Sequence, residues 1–130
     1  MHKIEKKPWG YELTFADIMT KEEMQKWVEE SKALLATAQP SFGVFVDMRT
    51  LKPLPPDAQA VMQEGQKLYK AKGMVRSVVI LASALVTAQF KRIAKETGIY
   101  EWERYIDSST SPTWKDVGIS WVRDKVDPDH

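Results

Sequence analysis

Short apolar runs alternate with amphipathic stretches from Tyr11 to Arg123, and this alternation restricts the chain to one fold class. Apolar runs of about 4–8 residues bounded by turn signals suit buried strands, and longer stretches with a helical period suit helices. Val75–Ala82 is the clearest strand, dense in β-branched side chains. Phe42–Met48 is a continuous apolar run broken by Asp47, as expected of a central strand covered on both sides. Glu103–Asp107 is a last, short strand. Near the start, Lys3–Glu5 and Tyr11–Phe15 flank a turn at Pro8-Trp9-Gly10 and predict a hairpin, with Leu13 and Phe15 alternating against Glu12 and Thr14.

Each helical stretch carries its own boundary chemistry. Thr20-Lys21-Glu22-Glu23 reads as a capping box ahead of Met24, Trp27, Val28, Leu34, Leu35 and Ala38, and Gln39-Pro40 stops that helix. Pro55 and Pro56 fit the first turn of a second helix whose inner face is Val61, Met62, Gly65, Leu68 and Tyr69, closed by Gly73. Ser83 caps a third helix that turns Val86, Phe90, Ile93 and Ala94 inward and ends at Gly98. Ser111-Pro112 opens a fourth helix with Trp114, Val117, Trp121 and Val122 on one side. The order is therefore ββαβαβαβα. Successive β-α units require parallel strands joined by right-handed crossovers, and the opening hairpin adds one antiparallel strand to give a mixed sheet. Residues 1–123 are expected to form one α/β domain, and the charged tail 124–130, with Pro128, is expected to fray.

Composition narrows the function classes. The 19 basic and 18 acidic residues leave a net charge of +1, which supplies no electrostatic drive toward nucleic acid or an anionic membrane. There is no cysteine, which removes disulfides, thiolate nucleophiles and cysteine-based zinc sites. The only histidines, His2 and His130, are near the termini and expected to be mobile, so no histidine-based triad or imidazole metal site is expected in the core. Gly65, Gly73 and Gly98 sit within or after helices, so neither a Walker loop nor a dinucleotide fingerprint follows any strand. No catalytic residue, metal site or cofactor is expected. No run is long enough to span a bilayer, and the polar N-terminus lacks a signal-peptide core, so a cytoplasmic protein is expected.

The element order, with the acid closing the second long strand in Phe45-Val46-Asp47-Met48-Arg49, resembles the STAS superfamily, and more narrowly its SpoIIAA-like branch, grouped with the CRAL-TRIO lipid-binding domains. The Glu103-Arg104-Tyr105-Ile106 strand and a closing helix with Trp121 near its end match as well. The resemblance implies a largely parallel sheet with its helices mainly on one face. Anti-sigma-factor antagonists of this superfamily carry a phosphorylatable serine in an Asp-Ser-Ser-Gly turn before the second helix. This chain reads Leu51-Lys52-Pro53-Leu54-Pro55-Pro56-Asp57-Ala58-Gln59 there, with only Thr50 nearby, so partner switching by phosphorylation is not expected in its usual form. Asp107-Ser108-Ser109-Thr110 follows the last strand and reads as a polar cap for the final helix.

Two candidate sites follow. Asp47 and Arg49 close a central strand at the end where open α/β sheets place ligands, so Arg49 is a candidate clamp for an anionic group with Asp47 orienting it; Gln89 and Arg92 are secondary. If helices cover one face only, Phe45, Val78 and Ile80 on the other face are expected to meet a helix, an apolar or lipid-like ligand, or a second subunit in a homodimer. The leading expectation is a non-enzymatic binding or regulatory module for a small apolar ligand. The alternative is a protein-interaction adaptor related to the anti-sigma-factor antagonists, and an enzyme using Asp47 with Lys52 is the third reading.

Overall fold

The computed structural model describes residues 1–130. Its elements are β1 (His2–Lys7), β2 (Gly10–Phe15), α1 (Lys21–Leu35), β3 (Phe42–Asp47), α2 (Pro56–Lys72), β4 (Met74–Leu81), α3 (Ala84–Thr97), a 3-10 turn (Tyr100–Trp102), β5 (Glu103–Asp107) and α4 (Trp114–Asp124). Local chemistry fixes most boundaries. Thr20 accepts from the Glu23 N–H at 3.2 Å to start α1, and Ser83 accepts from the Val86 N–H at 3.2 Å to start α3. Gly98, at φ +84°, ends α3 in the left-handed conformation that a side chain would strain.

The sheet is mixed and its strands lie in chain order, β1-β2-β3-β4-β5. β1 pairs antiparallel with β2 across the two-residue turn Pro8-Trp9, and the remaining pairs are parallel. Because each crossover steps one strand in the same direction, right-handed connections put α1, α2 and α3 on one face, where α1 packs on α2 and α2 on α3. The larger core lies there, built from Leu13, Phe15, Trp27, Val44, Met62, Val79 and Phe90 among others. α2 passes close over α1 at Gly65, where a Cβ would sit 2.1 Å from the Trp27 ring.

α4 follows β5 and packs on the opposite face across β3, β4 and β5. It buries Phe45, Val78, Ile80, Ile106, Trp121 and Val122, with Trp9, Trp102 and Trp114 half-buried around them. Of the covers expected for Phe45, Val78 and Ile80, the structure supplies a helix: this chain's own α4 lies over them and leaves them at most 1 % exposed, so they are not an open interaction surface. Arginines from the strands hold the helix in place. Arg76 donates from Nε and Nη2 to the Trp121 and Val122 carbonyls at 3.1 and 3.2 Å, satisfying the C-terminal end of α4. Arg104 stacks 4.5 Å from the Trp121 ring, and the Trp121 N–H donates to the Ser77 carbonyl at 3.0 Å.

The tail, expected to fray, carries Asp127, whose carboxylate takes two 2.8 Å hydrogen bonds from Arg104. That pairing holds the Asp127 carboxyl well below the usual range. No helix is long and apolar enough to cross a membrane. α4 approaches the sheet closely through Gly118, where an added Cβ would stand 2.7 Å from Phe45 Cε2. Gly118→Ala is expected to destabilise the fold by about 1–3 kcal/mol through overpacking, read as a lower urea midpoint.

Candidate functional site

β2 ends in a sharp change of direction. Asp17 adopts φ +60°, a left-handed backbone uncommon for a residue with a side chain and costing about 1 kcal/mol or more. Its strain is fixed by the neighbouring loop: the Asp17 N–H donates to the Thr50 carbonyl at 3.1 Å, and the Lys52 N–H donates to the Asp17 carbonyl at 2.9 Å. The consequence falls on Ile18. Its neighbours Ala16 and Met19 are buried, yet Ile18 stands 71 % exposed, the most exposed large apolar side chain of the protein.

The loop after β3 is equally fixed. Leu51 and Leu54 are buried in the core and leave Lys52 and Pro53 exposed between them. Gln89 of α3 clamps Leu54 from both sides, accepting from its N–H at 2.9 Å and donating to its carbonyl at 3.2 Å; Gln59 donates to the same carbonyl at 2.8 Å. Arg92 in turn donates to the Gln59 side chain. Gln89 and Arg92, secondary candidates for a ligand, thus hold a loop. One turn before Gln89 on α3, Leu85 is 59 % exposed. Ile18, Pro53 and Leu85 are exposed apolar residues that follow the carboxyl ends of the adjacent strands β2, β3 and β4, and are termed the rim.

Asp47 and Arg49 come together, but with each other. Arg49 Nε and Nη2 donate to the two Asp47 carboxylate oxygens at 3.0 Å each, and the Arg49 N–H donates to Oδ1 at 3.1 Å. The carboxylate raises the Arg49 pKa. The guanidinium also lies 4.1 Å over the Trp114 ring, so the pair ties the start of α4 to the end of β3. Its charges are mutually satisfied, and it braces the helix that covers the sheet. His2, expected to be mobile, is held in β1 with Nδ1 3.0 Å from Glu23 Oε2 and Nε2 2.7 Å from Glu30 Oε2. His130 lies 3.7 Å from Asp127 at the exposed end of the tail.

One buried acid escaped the sequence reading. Glu103 opens β5 and faces the helix layer, fully enclosed. Ser77 donates to its Oε1 at 3.1 Å and Tyr105 to its Oε2 at 2.6 Å. Burial, only partly offset by these two donors, pushes its pKa from 4.5 up to about 7. Burial, and then the nearby Glu103 charge, also pushes the Tyr105 phenol up. Glu103 borders a cavity of about 30 Å³ between the sheet and helices, shared with Trp27, Met62, Gln66 and Ser77. That is room for two or three waters, on the scale of ~10–15 Å³ each. Strand parity was the available signal, since Glu103 and Tyr105 alternate with Arg104 and Ile106; α3 completes the burial. Nothing local marked Asp17 as left-handed.

No family model, curated protein or solved structure matches the chain.

Glu103 links stability to pH. The folded state keeps a proton that the unfolded chain releases near 4.5, so this contribution is complete below that pH. It is lost as pH rises toward about 7 and is flat beyond. At about 1.4 kcal/mol per pKa unit the loss is about 3 kcal/mol at most. Glu103→Gln keeps the neutral shape, its amide oxygen accepting from one of the two hydroxyls and its NH2 donating to the other. Urea unfolding between about pH 5 and pH 8 is expected to show a falling stability for the native protein and a flatter profile for the variant.

Proposed function

We propose that the chain is a non-enzymatic, cytoplasmic recognition module of STAS-like fold that docks a protein partner on the rim formed by Ile18, Pro53 and Leu85. The observation that carries the reading is Ile18 itself: a large apolar side chain held out to solvent by a strained Asp17 that two backbone hydrogen bonds lock in place. Exposed apolar groups on a rigid frame suit protein contact, because little conformational freedom is lost on docking. Strand order running β1 to β5, with the crossover helices on one face, supports the STAS-like reading of the fold.

The adaptor reading is favoured over a small apolar or lipid-like ligand on two counts. α4 already occupies the sheet face such a ligand would use, and the interior cavity of about 30 Å³ is far below the ~300 Å³ or more of ordinary ligand pockets. Asp47 and Arg49 then act as a brace for α4 beside the docking rim rather than as a clamp on a polar group.

Affinity capture from the cells that express the protein, followed by quantitative mass spectrometry, tests the rim. Ile18→Asp with Leu85→Asp is expected to reduce recovery of the partner about tenfold or more, while Val126→Asp, on another exposed apolar side chain, leaves it unchanged. Both substitutions are at exposed positions, so the melting temperature is expected to stay close to that of the native chain. Recovery undiminished by the double variant sinks the proposal. A doubled mass in light scattering that the same variant abolishes identifies the partner as a second copy, the homodimer.

A further inference from the structure

The two outer strands of the sheet are protected differently. Along β1, Lys3 and Lys7 flank Glu5 in ion pairs at 2.6 and 3.2 Å, a charged edge that discourages further strand pairing. On β5 only the first half is guarded: Arg104 Nη1 folds back to donate to the Glu101 and Glu103 carbonyls at 2.8 and 3.2 Å. The Ser108 N–H donates to the Leu81 carbonyl at 2.8 Å, whereas the Glu103 N–H turns away from β4 to the Ile99 carbonyl at 3.0 Å. Even-numbered residues of β5 therefore pair with β4, and Tyr105 and Asp107 direct their main-chain groups to the open edge. The Asp107 carbonyl is taken by the Thr110 and Ser111 N–H groups, which leaves Tyr105 N–H, Tyr105 C=O and the Asp107 N–H free.

Beside this half of β5 runs a groove of about 470 Å³ between the strand and α3. Ala84 and Ala88 line it on the helix side and leave room for side chains; the main chain of Ile106, whose side chain is buried under α4, borders it on the other. Its charges are unequal in availability. Asp107 is engaged by the N–H and hydroxyl of Ser109 at 2.9 and 2.6 Å. Lys91 stands 5.3 Å over the Tyr105 ring without a carboxylate partner, and Lys95, one turn along, sits likewise 4.8 Å over Tyr100. Lys91 is thus the unpaired cation beside Tyr105, while Asp107 stays ionised at the far end of the free edge and Glu101, Asp127 and Asp129 lie at its start, the last two paired with Arg104.

We propose that an acidic, extended segment of a partner protein adds to the Tyr105–Asp107 edge of β5 as a sixth strand, with its carboxylates against Lys91. Main-chain hydrogen bonds would supply affinity and the cation would select charge. The inference does not rest on the rim: its Ile18 lies at the end of β2, across the sheet from β5, although its Leu85 adjoins Ala84 at the groove, and the two are tested separately through Ile18 and Lys91.

A synthetic peptide, acetyl-Glu-Val-Glu-Val-Glu-amide, titrated into the ¹⁵N-labelled full chain and followed by amide exchange, tests it. The Tyr105 and Asp107 amides are expected to shift and to exchange at least tenfold more slowly, with Ile106 N–H, already paired to β4, changing little. Lys91→Glu, an exposed position that leaves the fold intact, is expected to weaken the peptide about tenfold and to favour its lysine counterpart. Tyr105→Pro removes the free donor without touching the β4 ladder and is expected to abolish binding, whereas Tyr105→Phe retains it. If Tyr105→Pro does not fold, Lys91→Glu decides. No change at millimolar peptide, equal binding of the lysine peptide, or shifts centred on Ile18 would overturn the proposal.

Discussion

Every crossover in this sheet steps the chain sideways in the same direction, and the right-handed preference of such connections then dictates where everything else goes. Three helices must share one face, and a single helix, α4, is left to cover the other. That helix shields Phe45, Val78, Ile80 and Ile106, worth roughly 1.5–3 kcal/mol each in transfer free energy before conformational entropy is charged against them. The strands supply the means of holding it. Arg49, just after β3, and Arg76 and Arg104 of β4 and β5 reach to Trp114, the closing carbonyls and Trp121. The polar side chains on that face are therefore engaged in fastening α4, and the carboxyl end of the sheet is the surface that remains available.

Local signals in the sequence placed α1, α2 and α3 well because they are local in cause, whereas α4 starts at Trp114 after Thr113 with no side-chain cap, and neither Ser111-Pro112 nor the Asp107–Thr110 turn opens it as expected. Thr20 and Ser83 cap the helices they precede, and Gly73 and Gly98 close α2 and α3, since each needs only neighbouring backbone to act. What was not legible depended on contacts distant in sequence. Phe45, Val78 and Ile80 have the alternation of any exposed or covered face, and only the placement of α4 decides between the two. Asp47 and Arg49 looked like open polar groups because nothing nearby in sequence announces a bidentate pair stacked on Trp114. Asp17 is a commonplace residue whose left-handed backbone is imposed by the loop at Thr50 and Lys52. Position near the terminus also suggested a mobile His2, which two glutamates of α1 hold in β1.

Glu103 and the β5 edge are two aspects of one position in the fold. β5 ends the sheet, so its helix-facing side is covered only by α3 and its outer side by no strand. The acid is enclosed where α3 and the 3-10 turn close over it, and a few residues on, at Tyr105, the strand emerges at the surface. Tyr105 joins the two, its hydroxyl donating to Glu103 and its ring supporting Lys91. A change in the protonation of the acid thus has a direct mechanical connection to the exposed edge.

The position of α4 also sets the timing of folding. A ribosome delivers all five strands and the three crossover helices before α4, so a nascent chain can finish one side of its sheet while the other is still greasy and wet. Emergence of α4, rather than collapse of the larger core, closes that face, and until then Phe45, Val78 and Ile80 are open to chaperones and to one another.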